Sequence, residues 1–217
     1  KPVQSFTALI KKEALRLGFD DCGISRADFL EVESERLESW FRKGYHAGLT
    51  YMERNRDKRT DPRQLVEDAK SVISVILNYY PSQDQKDPNA PVLSKYYFGK
   101  DHHQVVKKKL ADLLFFIRNM IPGSDGRAFT DSVPLLEKAF AGRSGLGWIG
   151  KNSLLLTKKH GSFVYIGELI LNFELEYDSP VRDLCGTCNK CLVACPTGAL
   201  VAERELDLNR CISFHTI

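Results

Sequence analysis

Residues 185–196 read CGTCNKCLVACP. Cys185, Cys188, Cys191 and Cys195 fall within this stretch, and Pro196 follows the last of them. In C-x2-C-x2-C-x3-C-P, the first three cysteines sit on a tight loop around one iron–sulfur cubane, and the fourth lies beyond a helical turn and ligates a second cluster. A structural zinc site would use two separated C-x2-C knuckles instead. A thioredoxin-type pair would not be followed at once by two more cysteines. A four-iron cluster takes four cysteines, so two clusters outrun the five present here once Cys211 is included. Cys185, Cys188 and Cys191 are therefore assigned to one cluster, and Cys195 and Cys211 to the other. The three missing ligands are what a second run of this type would supply. The expectation is that the parent chain continues beyond Ile217.

Five of the six cysteines crowd into residues 185–211, which suits metal in a reducing compartment rather than a disulfide framework. The 217 residues suffice for one good core plus a small second unit. An apolar fraction of 43% and a charged fraction of 27% are those of an ordinary globular protein. A net charge of +3 does not by itself require nucleic acid, and Lys107–Lys109 and Lys158–Lys159 read as a solvated helix face and a turn. The strongly apolar runs, VISVIL at 72–77 and LLFFI at 113–117, fall far short of the roughly 18–20 residues that span a bilayer. The first helix carries Lys11, Lys12, Glu13 and Arg16, unlike a signal peptide. A cytoplasmic protein with no membrane partner is expected. The chain begins at Lys1 without Met, and both ends read as cut.

Residues 3–17 pattern as an amphipathic helix through Phe6, Leu9, Ile10 and Leu17, with Gly18 as its C-terminal stop. Residues 20–25 read as a short strand in which Cys22 is a small core residue. Helices are predicted at 30–42, 102–121 and 133–144. Strands are predicted at 71–80, 127–131, 153–157 and along SFVYIGELILN. Residues 81–92, with three prolines, form a loop. The mixture implies an α/β or α+β domain over about residues 1–177, with 178–217 opening a second unit.

GLGWIG at 145–150 matches G-x-G-x-x-G. Nucleotide binding would need a strand before it and a helix after it, and the pattern here is reversed. The glycines instead let the backbone pass close to a bulky cofactor or to a neighbouring strand. Asp131 ends a predicted strand ahead of Ser132 and Pro134. That suits a helix N-cap as well as a site carboxylate.

Several segments together resemble the epoxyqueuosine reductase family: GYHAGLTYM at 44–52, DKRTDPRQL at 57–65, YYFGKDHH at 96–103, FTDSVPLLEKAFAGRSGLGWIGKNSLLL at 129–156, and CGTCNKCLVACPTGAL with CISF at 185–214. The resemblance implies a nitroreductase-like domain that binds cobalamin, followed by the start of a ferredoxin-like domain for two 4Fe–4S clusters. It implies reduction of epoxyqueuosine to queuosine at the wobble position of tRNA, with recognition of the anticodon region and electrons from an external donor. It assigns Asp131, Lys138 and His103 to catalysis. Arg59, Ser94, Asp131, Lys151, Asn152, Leu155 and Ser213 are assigned to the cofactor. Asp131 becomes the proton donor and is expected to be partly buried, with burial raising its pKa. Lys138 stands where the family commonly carries Arg. It keeps the charge but loses the planar fork. A relative of the reductive dehalogenases shares this architecture. A non-catalytic iron–sulfur carrier and a flavin-binding reductase are further alternatives.

Overall fold

The computed structural model describes residues 3–83, 85–131 and 133–216, with side chains from residue 6 onward. Four strands form one fully antiparallel sheet: β1 (Asp21–Arg26), β2 (Ser71–Asn78), β3 (Gly126–Phe129) and β6 (Val164–Leu171), in the order β1-β2-β6-β3. The domain is thus of the α+β kind. β2 and β6 pair over their full lengths, from Ser71 opposite Leu171 to Asn78 opposite Val164. Both are apolar at successive positions because both faces of this sheet are covered.

One face packs on α1 (Val3–Arg16) and α5 (His102–Met120). Ile10 and Ala14 of α1, and Val106, Leu110, Leu113 and Ile117 of α5, bury against Ile73, Val75, Leu169 and Leu171. Their three- and four-residue spacing is the stripe read from the sequence. The opposite face packs on α6 (Glu137–Arg143), through Ala139 and Phe140 against Val72, Phe129 and Ile170. α2 (Glu31–Arg42), α3 (Thr50–Glu53) and α4 (Arg56–Thr60) connect the edge strand β1 to the central strand β2. The two short helices, α3 and α4, carry too few turns to leave a periodic signal.

Lys109 does not lie on a solvated face. Its ammonium donates to the Leu17 carbonyl at the end of α1. Cys22 is buried, and burial pushes its thiol up to about 12. α6 begins at Glu137, four residues later than the sequence pattern predicts.

A two-strand hairpin, β4 (Trp148–Ile149) and β5 (Leu155–Leu156), leads from α6 toward the cysteine-rich segment. That segment contains α7 (Lys190–Ala194), a second hairpin of β7 (Leu200–Ala202) and β8 (Glu205–Leu206), and α8 (Ile212–His215). Among the described residues, no helix is long and apolar enough to cross a membrane.

One charged side chain lies inside the main sheet. Glu168 of β6 is fully buried on the α6 face, where Ser74 donates its hydroxyl to both carboxyl oxygens at 2.8 and 3.0 Å. Burial raises its pKa well above the carboxylate range, so it is held neutral. A carboxyl that keeps its proton only when folded stabilises the protein most below its unfolded pKa, and that contribution falls as pH rises toward the folded value. The stability of Glu168→Gln relative to wild type should therefore increase as pH is raised from 5 to 8. Urea unfolding across that range reads the slope.

Candidate functional site

β3 ends at Phe129, and the chain then leaves the sheet edge. Asp131 adopts φ 48, in the left-handed region that a non-glycine side chain enters at a cost. Its amide donates to Glu137 Oε1 at 2.8 Å, which fixes this turn. Asp131 therefore caps no helix, because α6 starts at Glu137 with Leu136 before it. Its carboxylate is 62% exposed, not partly buried as expected. The reason is geometric: the left-handed turn projects the side chain away from the sheet.

His103, in the first turn of α5, faces it. Its Nε2 lies 3.6 Å from Asp131 Oδ2, while Nδ1 is 2.9 Å from Asp101 Oδ1. His102 beside it is half-buried, stacked on Tyr165 at 4.2 Å, with Nε2 at 3.0 Å from the Tyr96 hydroxyl. The Tyr165 hydroxyl in turn donates to the Tyr96 carbonyl at 2.6 Å. This aromatic packing anchors the loop carrying Ser94, whose own hydroxyl accepts from the Tyr96 amide at 3.4 Å.

Two charges next to Asp131 escaped the sequence reading or change its meaning. Burial raises Glu137 to about 7, against a carboxylate's ordinary value. Lys138 donates to the Ser153 carbonyl at 2.9 Å. Lys138 is accessible to solvent, yet desolvation by surrounding protein lowers its pKa.

Arg59 lies at the back of this region. It is 9% exposed, and its Nη2 donates to the Tyr51 carbonyl at 2.8 Å. Its own carbonyl accepts from the Leu136 amide at 3.1 Å, which joins α4 to the Asp131 loop. Its Nε is buried with no hydrogen-bond partner, and among the described residues no carboxylate pairs with it. Ser153, at φ 64, likewise buries an unpartnered hydroxyl. Buried donors without acceptors are costly, and they fit a polar or anionic group that would complete them.

The remaining predicted residues lie elsewhere in the fold. Leu155 is 3% exposed and belongs to a core cluster with Ile76, Ala141 and Leu146. Lys151 pairs with Glu203 at 2.7 Å. Asn152 accepts from the Leu154 amide at 3.2 Å in the β4–β5 turn. Ser213 is exposed on α8. The glycine motif holds a strand rather than a nucleotide. A Cβ on Gly147 would meet the Leu156 carbonyl at 2.2 Å, and Gly145 sits at φ +80.

All six cysteines are free thiols. Cys195 directly follows α7, so the first three cysteines precede or lie on a helical turn and the fourth lies beyond it. Backbone amides, that of Leu200 foremost, lower the Cys195 thiol to about 7. Four cysteines in this order around a helical turn fit iron–sulfur ligation.

A family profile described as "Epoxyqueuosine reductase QueG, DUF1730" matches residues 59–132, and one described as "4Fe-4S double cluster binding domain" matches 184–217. The epoxyqueuosine reductase of Cellulophaga algicola is 55% identical over 96% of this chain and 68% of its own length. The chain belongs to the epoxyqueuosine reductase family. The family member of Cyclobacterium marinum is 48% identical over 99% of this chain and 70% of its own length. The structure of epoxyqueuosine reductase from Streptococcus thermophilus superposes with a TM-score of 0.90 at 33% identity, over 96% of this chain and 57% of that one. An epoxyqueuosine reductase crystallised with an epoxyqueuosine-modified tRNA stem loop superposes with a TM-score of 0.91 at 34% identity, over 98% of this chain and 57% of that one. A catabolic reductive dehalogenase shares the fold at a TM-score of 0.56 and 15% identity. This chain thus spans about two thirds of these curated relatives and under three fifths of these solved ones.

Glu137 should titrate near neutrality. Infrared spectra following carboxyl bands should show a group with a midpoint near about 7 that is absent from Glu137→Gln.

Proposed function

We propose that this chain is the catalytic and electron-entry part of an epoxyqueuosine reductase, acting on epoxyqueuosine at the wobble position of tRNA. In this reading residues 1–177 form the cobalamin-binding catalytic domain, and residues 178–217 begin a ferredoxin-like domain for two 4Fe–4S clusters. The protein works in the cytoplasm and takes electrons from an external donor. The observation that carries the reading is the Asp131 carboxylate, presented on a left-handed loop residue facing His103 at the sheet edge. Both residues lie within the stretch that the family profile matches. Tight superposition on a relative crystallised with a modified stem loop supports the tRNA substrate.

Reducing an epoxide to an alkene takes two electrons and two protons and releases water. Cobalamin, when bound, supplies a low-valent metal centre that delivers electrons to carbon. This chain's residues do the rest. Asp131 holds a proton at a carboxyl oxygen for the opening epoxide oxygen. His103 can bridge Asp101 and Asp131, since both ring nitrogens donate in its charged form. The Lys138 ammonium stabilises charge developing on the departing oxygen. Arg59, through its unpartnered Nε, and the Ser153 hydroxyl would hold polar groups of the cofactor. Ser94, Lys151, Asn152, Leu155 and Ser213 complete the proposed cofactor contacts. Among them, the buried Leu155 acts by shaping the wall.

Asp131→Asn keeps the backbone preference and removes the proton. In the full-length enzyme given an epoxyqueuosine-modified stem loop, it should lose about 10²–10⁴-fold in turnover while retaining the corrinoid absorption spectrum. Turnover equal to wild type would remove Asp131 from the chemistry, and a flavin spectrum in the wild type would overturn the cofactor assignment.

A further inference from the structure

Trp148 has no place in the mechanism above, yet its indole Nε1–H donates to the sulfur of Cys185 at 3.4 Å. That is a normal length for a bond to a large, diffuse acceptor. The bond runs from the β4–β5 hairpin, a separate two-stranded sheet after α6, to the first cysteine of the cluster run. The hairpin is pinned from below, because Trp148 is registered opposite Leu156 and Gly147 packs on the Leu156 carbonyl.

A second set of contacts fixes Cys185 from its other side. Its amide donates to Asp183 Oδ1 at 2.7 Å. Asp183 is bound by the Arg204 guanidinium. Arg204 also donates from Nε to the Ile149 carbonyl at 2.9 Å and from its amide to the Lys151 carbonyl at 2.9 Å. Arg204 adopts φ 61, a strained value that persists only where surrounding contacts over-determine it. Backbone and sulfur of Cys185 are thus both positioned by residues 148–151 and their partners. The Cys195 sulfur is met differently, by backbone amides, that of Leu200 foremost, and by Thr197 Oγ1 at 3.9 Å.

We infer that Trp148 is a positioning residue of the electron path, whose N–H to the Cys185 sulfur raises the reduction potential of the cluster that Cys185 ligates. The inference rests on the reading of Cys185 as a cluster ligand. A one-electron reduction adds negative charge that spreads onto the ligand sulfurs. An N–H aimed at one of them stabilises the reduced form more than the oxidised form. The tuned cluster is thereby easier to fill from a one-electron donor.

The test is an EPR-monitored redox titration of the full-length, iron- and sulfide-reconstituted protein. Trp148→Phe deletes the donor. Replacing Trp148 with benzothienylalanine exchanges the N–H for sulfur at constant shape, so it separates the bond from packing. Both should keep the iron and labile sulfide content of wild type, lower the midpoint potential of one cluster and leave the other unchanged. The expected size is up to about tenfold in the reduction equilibrium, ~59 mV for a one-electron couple. Unchanged potentials in the benzothienylalanine protein would overturn the inference while leaving the cluster assignment standing, as would equal shifts of both clusters. A wild-type protein without a 4Fe–4S signal, or a Cys185→Ala protein with undiminished iron, would overturn the assignment itself.

Discussion

The pairing of β2 with β6 is the constraint on which the rest of the molecule depends. These strands are hydrogen-bonded over their full lengths and buried on both faces. Backbone groups in the buried stretch of these strands must be met across the ladder. That rigidity sets the positions of everything functional. α5 lies on one face and delivers His103 from its first turn. α6 lies on the other and carries Glu137 and Lys138. β3, at the edge, releases the Asp131 loop. A shift of one residue in β6 would turn Glu168 toward α5 and expose an apolar set to the wrong layer.

The carboxyl groups around Asp131 form a graded series rather than a set of pairs. Glu168 beneath α6 is neutral, Glu137 above it sits near about 7, and Asp131 at the rim is open to water. Burial falls along this series from the sheet outward, and desolvation is the leading cause of both upward shifts. A series of this kind sets its most accessible carboxyl group where a substrate would arrive. Behind it stand the two carboxyls whose pKa burial raises.

Much of this was legible in the chain. The long elements α1, α5, β2 and β6 carry strong periodic or β-branched patterns, and the cysteine spacing names its own chemistry. The α6 start was misread because Leu135 and Leu136 continue an apolar pattern while the backbone is still a loop held by Glu137. The exposure of Asp131 was also misread. Side-chain direction at φ 48 follows from backbone sign, which residue identity does not disclose. Glu168 did leave a signal, a lone charge inside VYIGELIL, that strand periodicity alone reads as noise. The Trp148–Cys185 contact joins segments 37 residues apart, and the Glu137 bond closes a loop around a left-handed residue, so no periodic pattern foreshadows either.

The positive φ of Asp131 has a further consequence, for how variation at this position is to be interpreted. Asparagine and aspartate enter the left-handed region several-fold more readily than other non-glycine residues. Alanine there pays about 1–2 kcal/mol in backbone strain and also gives up the carboxyl group. The position therefore answers to two independent requirements, one steric and one protonic. Most amino acids fail both at once. Glycine meets the steric requirement and fails the protonic one, so an inactive glycine variant isolates the chemistry that an inactive valine or leucine variant would leave mixed with loop collapse.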